Sequence, residues 1–230
     1  MVAVTTSRQA VAEGLGTALL LAAIVGSGIM AERLSPDNVA LALLANTVAT
    51  AATLTALILA CGPISGAHFN PLVTVMLRVA GGVSNHAAIA YIAAQILGAF
   101  AGVGAAHLMF DEPLFAWSQH ARSGASQAFA EGVATFGLLT VIGLCVSSRS
   151  VHTAFAVGAY IAGAYWFTSS TSFANPAVTL ARAATDTFAG IRPTDVPLFL
   201  FGQFLGAGAA IILLRWLLRP IPHVVPETLS

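Results

Sequence analysis

The stretch Ser65-Gly66-Ala67-His68-Phe69-Asn70-Pro71-Leu72-Val73-Thr74 has a counterpart farther along the chain, Ser172-Phe173-Ala174-Asn175-Pro176-Ala177-Val178-Thr179. Each copy sets an Asn-Pro pair at the end of a polar loop and the start of an apolar segment. Asparagine caps a helix by accepting a backbone N–H, and proline occupies the first turn without losing an intrahelical bond. A helix N-terminus carries roughly half a positive charge in its unpaired N–H groups. Two such ends aimed at one point oppose protons and metal cations. The Asn70 and Asn175 amides still have N–H donors to offer a solute. The preceding residues, Gly66 to His68 and Thr171 to Phe173, are expected to be extended and to present a ladder of carbonyl acceptors. Donors at a centre with acceptors along one wall suit water or small neutral polyhydroxylated molecules, and suit ions poorly.

The elements that position these residues must lie in a membrane. The chain has 230 residues, 57% hydrophobic and only 8% charged, with a mean hydropathy of +0.86. Soluble domains carry about a quarter charged residues. Apolar, charge-free segments such as 39–62 and 196–214 exceed the roughly 20 residues that a span needs. The first apolar segment holds Glu13 and continues to Met30, which reads as a retained span and not a cleaved leader. A net charge of zero gives no electrostatic case for a nucleic-acid or acidic partner. Cys61 and Cys145 sit in apolar stretches and read as buried hydrophobes, with no disulfide or metal spacing. No phosphate loop, metal-ligand spacing or Ser-His-acid set is present, so neither an enzyme nor a cofactor is indicated.

Six full spans are predicted at 9–31, 39–62, 84–109, 126–147, 152–170 and 195–217. Two further apolar stretches, 70–80 and 175–187, cover about half the hydrocarbon core at roughly 1.5 Å per residue. They read as half-helices starting at the Asn-Pro pairs. Loop backbone at membrane depth is tolerated only where protein covers it or it lines a watery cavity.

The repeat extends beyond those pairs. Ala12-Glu13-Gly14 answers Ala130-Glu131-Gly132, and Gln95-Ile96-Leu97-Gly98-Ala99 answers Gln203-Phe204-Leu205-Gly206-Ala207. Both halves, about 8–110 and 126–219, follow one order: glutamate span, plain span, half-helix, glutamine span. Three spans per half invert the second copy, so the expected fold is one all-α membrane domain over 1–230, an inverted repeat of six transmembrane helices and two half-helices. Small residues such as Gly14, Gly98, Gly102, Gly202 and Gly206 allow close helix packing. The chain lacks lysine. With the N-terminus inside, Arg8, Arg78, Arg149, Arg215 and Arg219 are cytoplasmic while Arg33, Arg122, Arg182 and Arg192 lie outside. This slight bias places both termini in the cytoplasm.

These motifs resemble the aquaporin (major intrinsic protein) family over about residues 8–219. The resemblance implies a right-handed bundle with two half-helices, assembled as a homotetramer in the lipid bilayer with one pore per subunit. Its midplane would be formed by Asn70, Pro71, Leu72, Asn175, Pro176 and Ala177. Departures from the family pattern are informative. Leu72 stands where alanine is usual, and Val178 stands where an arginine usually forms the outer constriction. Counting from each asparagine without gaps assigns the remaining filter positions to Thr50, Gly163 and Ser172. The expected filter is wide, uncharged and partly apolar.

That combination is similar to a bacterial aquaglyceroporin-like subgroup associated with arsenic detoxification, in Val178 and in the flanking Ser-Phe-Ala-Asn-Pro-Ala-Val-Thr run. The implied cargo is arsenite as neutral As(OH)3, or methylated arsenicals, with glycerol and water as further permeants across a bacterial inner membrane. Thr179 replaces the aspartate of typical glycerol facilitators. The resemblance also makes Glu13 and Glu131 supports for the half-helix loops. As intramembrane acids they could instead couple protons in a transporter. A non-conducting scaffold is a third alternative. Gln95 and Gln203 read as polar fasteners. Arg182 reads as a half-helix or surface anchor, and His86, His107, His120, His152 and His223 as interface or solvent residues.

Overall fold

The computed structural model describes residues 4–218; Arg219 and His223 lie outside the described residues. The chain forms α1 (Thr6–Leu34), α2 (Val39–Ser65), α3 (Pro71–Val79), α4 (Asn85–Phe110), α5 (Ala125–Ser147), α6 (Thr153–Phe167), α7 (Pro176–Arg182) and α8 (Val196–Leu217), with a 3-10 turn at Pro193–Asp195. No strand occurs among the described residues.

Helices stand at all six expected span positions and at both half-helix positions, with two boundaries changed. Five helices have the length and apolar composition to cross a membrane, whereas α6 has only 15 residues. The expected 152–170 span stops early because Thr168 to Ser172 is a run of hydroxyl residues. Such side chains offer the backbone alternatives to helix, and Thr168 Oγ1 donates to the Ala164 carbonyl at 2.6 Å. The second half-helix, expected over 175–187, ends at Arg182. There loop residues take over the end of the helix: Ile191 N–H donates to the Arg182 carbonyl and Ser118 N–H to the Ala183 carbonyl.

The two halves pack alike. α1 lies against α4 and α5 against α8, while α2 contacts α6. A Cβ on Gly98 would collide with the Gly14 carbonyl oxygen, and one on Gly206 with the Gly132 carbonyl oxygen. The repeated glycines thus set the approach of both helix pairs. The half-helices cross between halves: α3 touches α8 and α5 as well as α4, and α7 touches α4 as well as α8. Polarity is inside out. Glu13, Gln95, Glu131 and Gln203 are fully buried, while Leu97, Phe129, Leu205 and Ile212 cover the outer surface. That outer surface suits lipid.

Candidate pore and its constriction

The two half-helices begin back to back. Asn70 Oδ1 accepts from Leu72 N–H at 2.9 Å, and Asn175 Oδ1 accepts from Ala177 N–H at 3.0 Å. Each amide nitrogen then reaches across the junction. Asn70 Nδ2 donates to the Ala174 carbonyl at 2.7 Å, and Asn175 Nδ2 donates to the Phe69 carbonyl at 2.8 Å. One N–H of each amide is used in this exchange and one is left, because an NH2 group has two donors. Both asparagines line a central cavity of about 110 Å³. Pro71, Leu72, Pro176 and Ala177 are buried behind it and do not line it.

The loops entering this junction differ from the expected extended form. Gly66, Ala67 and Phe69 have positive φ, as do Thr171, Ser172 and Ala174. For residues other than glycine such backbone costs on the order of 1 kcal/mol or more each and persists only where surroundings hold it. Buried carboxylates do so here. Glu13 accepts from His68 N–H at 2.9 Å, Phe69 N–H at 2.7 Å and the Ser65 hydroxyl at 2.6 Å. Glu131 accepts from Phe173 N–H and Ala174 N–H, both at 2.8 Å. Gln95 donates to Glu13 at 2.8 Å and to Thr74 at 3.0 Å. Gln203 matches it, donating to Glu131 at 2.6 Å and to Thr179 at 2.8 Å. Each glutamine therefore ties its glutamate to the first turn of a half-helix. Neither glutamate lines the cavity.

Gly66, Ala67, His68, Ser172 and Phe173 border the cavity, whereas Thr171 does not. Thr171 Oγ1 instead accepts from Arg122 Nη1 at 3.3 Å. His68 is held by Thr74, 3.0 Å from its Nδ1, and by the edge of Tyr91. The lining is otherwise largely apolar, including Leu20, Ile24, Val73, Leu138 and Val157.

Of the four residues that the gapless count assigns to the filter, three border the cavity and one does not. Thr50, Ser172 and Val178 line the cavity. Gly163 lies on the exposed face of α6, beside Phe167. Val157, Ile161 and Tyr165, spaced four apart, form the face of α6 that meets the cavity. The helix phase, not the distance from Asn175, decides which residue points inward. The Tyr165 hydroxyl donates to Thr50 Oγ1 at 3.4 Å. Ser172 Oγ is buried without a hydrogen-bond partner.

Beyond Val178 the cavity meets Arg182, the last residue of α7, which is only 2% exposed, so of the two expected anchors it is not the surface one. Its guanidinium carbon lies 3.4 Å from the centroid of the Phe173 ring, and its Nε donates to the Ala189 carbonyl. Arg122, from the loop between α4 and α5, lies 5.1 Å over the same ring. It donates to the carbonyl of Gly190 at 2.7 Å and to that of Phe188 at 3.4 Å. Burial pulls the Arg122 guanidinium down to about 10, which leaves it charged at neutral pH. Asp195 accepts from the Arg122 N–H at 2.9 Å and pins the loop in place. His107, expected at an interface or in solvent, is buried. Its Nε2 pairs with Thr185 Oγ1 at 2.8 Å and its Nδ1 accepts from Phe115 N–H at 3.3 Å.

A family model described as Major intrinsic protein matches residues 1–151. The chain is also 50% identical over 222 residues to Aquaglyceroporin AqpS of Rhizobium meliloti (strain 1021), covering 96% of this chain and 95% of that protein. The chain belongs to the major intrinsic protein family. Aquaporin TIP3-2 of Zea mays is 30% identical over 242 residues, 97% of this chain and 87% of that protein. The X-ray structure of the aquaglyceroporin from Plasmodium falciparum shares the fold, with a TM-score of 0.71 at 22% identity, covering 92% of this chain and 95% of that one.

As a major intrinsic protein, the chain is a multi-pass membrane channel and its relatives are channels, not enzymes. Three residues have places at this end of the cavity that the sequence motifs do not assign. Tyr165 was detectable from the four-residue spacing of Val157, Ile161 and Tyr165. Arg182 was detectable as the residue one turn beyond Val178 on the same face of α7. No local signal marks Arg122, because its place depends on how the outer loops fold over the mouth.

Proposed function

We propose that this protein is a passive channel for small neutral hydroxylated solutes, with arsenite and related metalloid hydroxides as principal cargo and glycerol and water as further permeants. The observation that carries this reading is the junction at Asn70 and Asn175. Two helix N-termini and two residual amide donors face one cavity, a field that favours neutral oxygen-rich solutes over cations. The hydroxyls of Thr50, Tyr165 and Ser172 and the loop carbonyls supply further partners for a triol. Val178 after the second motif leaves the inner part of the constriction uncharged. The 50% identity to a protein named an aquaglyceroporin supports solutes larger than water. Glu13 and Glu131 serve as loop supports in this account, since backbone and glutamine donors occupy their oxygens and neither borders the cavity.

The working unit in this reading is one channel domain over 1–230, with halves at about 8–110 and 126–219. It assembles as a homotetramer in a bacterial inner membrane, with both termini cytoplasmic. The test is solute uptake into proteoliposomes. Arsenite and glycerol entry should be rapid and independent of ions, ATP or a proton gradient. Glycerol and water flux without arsenite flux would reduce the cargo to that of a general facilitator.

A further inference from the structure

Burying an arginine without a carboxylate is costly, and the outer mouth buries two. Arg122 and Arg182 are 8% and 2% exposed. Among the described residues the ion pairs are Arg33 with Glu112 and Arg192 with Asp195, and neither buried arginine takes part. Uncompensated buried charges are normally removed or paired. Their retention calls for a use.

The two are not equivalent. Arg122 is consumed by the protein, because its three guanidinium nitrogens donate to Gly190, Thr171 and Phe188. Arg182 commits only Nε, to the Ala189 carbonyl, and rests flat enough on Phe173 for a 3.4 Å approach to the ring. Among the described residues no acceptor meets its two terminal nitrogens, and the residue borders the cavity. It follows Val178 by four positions, so the two share one face of α7 and Arg182 stands about 6 Å farther out. Ser172, whose buried Oγ lacks a partner, lines the same cavity.

We propose that Arg182 is the cation barrier and solute-orienting donor of this pore, standing one helical turn outward of the position held by Val178. Phe173 and the Ala189 carbonyl hold the guanidinium in place, and Arg122 locks the surrounding loop and adds a second positive charge. A neutral solute accepts from the terminal N–H groups of Arg182 and donates to or accepts from Ser172 Oγ. A cation meets a fixed charge that has no counter-ion. The filter is therefore charged, but at a different level from the one its motif suggests, and the wider uncharged section begins inward of it.

This proposal rests on the pore carrying neutral solutes, so neutral and cationic fluxes are measured in the same proteoliposomes. The variants are Arg182→Gln, which retains a polar group toward Ala189, and Arg182→Lys, which retains the charge. Proton and methylammonium leak should rise on the order of tenfold or more in Arg182→Gln and stay near the original level in Arg182→Lys. Glycerol flux should persist in both. If Arg182→Gln fails to assemble, Phe173→Leu removes the ring beneath the guanidinium and should raise the leak in the same direction. Cation leak within twofold of the unsubstituted protein, in an assembled Arg182→Gln or in Phe173→Leu, overturns the proposal while leaving the channel reading intact. Absence of glycerol and arsenite flux in the unsubstituted protein would instead overturn the channel reading.

Discussion

The Tyr165 hydroxyl donates to Thr50 Oγ1 at 3.4 Å and links α6 to α2 at the edge of the cavity. Both residues are buried, so the link combines a large aromatic wall with two hydroxyls that a passing triol can reach. Tyr165→Ala should widen this level and raise glycerol and arsenite flux relative to water. Tyr165→Phe should leave the width unchanged and lower stability by about 1 kcal/mol, the usual net value of one hydrogen bond. Stopped-flow flux ratios and thermal unfolding in detergent check the pair.

Val178→Arg should close the uncharged section of the pore inward of Arg182. The new guanidinium would stand one turn from Arg182, so it adds bulk and repulsion together. Arsenite and glycerol flux should fall much more than water flux. Unchanged arsenite flux in this variant would show that Val178 is not at a limiting level.

The glycine crossings predict a sharp contrast in stability. Gly98→Ala and Gly206→Ala each drive a methyl into a backbone carbonyl of the facing helix, whereas a Cβ on Gly208 meets nothing within 4 Å. The first two should cost about 1–3 kcal/mol, typical of overpacking. Gly208→Ala should be neutral. Thermal unfolding of the three variants in one detergent separates the crossing positions from the control.

Glu13→Gln puts an amide NH2 among groups that all donate, and so leaves at least one buried donor unpaired. The expected loss is about 1–3 kcal/mol or more, read as reduced yield and monodispersity. Any assembled Glu13→Gln channel should conduct arsenite with no dependence on a proton gradient. A variant of full stability whose wild-type counterpart required a proton gradient would favour the coupling role.

Much of this arrangement was legible in the chain. Asn70-Pro71 and Asn175-Pro176 mark both half-helix starts through local capping chemistry. The matched Glu13/Glu131 and Gln95/Gln203 pairs mark the supports, because duplicated polar residues inside apolar spans need partners. Counting residues from Asn175 leads to Gly163, which lies on the exposed face of α6; the helix phase that turns Tyr165 to the cavity is not contained in that count. The left-handed residues Ala67, Phe69, Ser172 and Ala174 were not legible because nothing in their types favours that backbone. They depend on Glu13 and Glu131, distant in sequence. Arg122 is the same kind of case: its role arises from loops meeting over the mouth.

Passive conduction of a neutral metalloid hydroxide is measured as arsenite entry into proteoliposomes of the purified protein. Uptake should be rapid down the arsenite gradient with low temperature dependence, at the same rate with or without a proton gradient, and strongly reduced in Val178→Arg. Uptake no faster than in protein-free vesicles, or uptake only when a proton gradient is imposed, would contradict it.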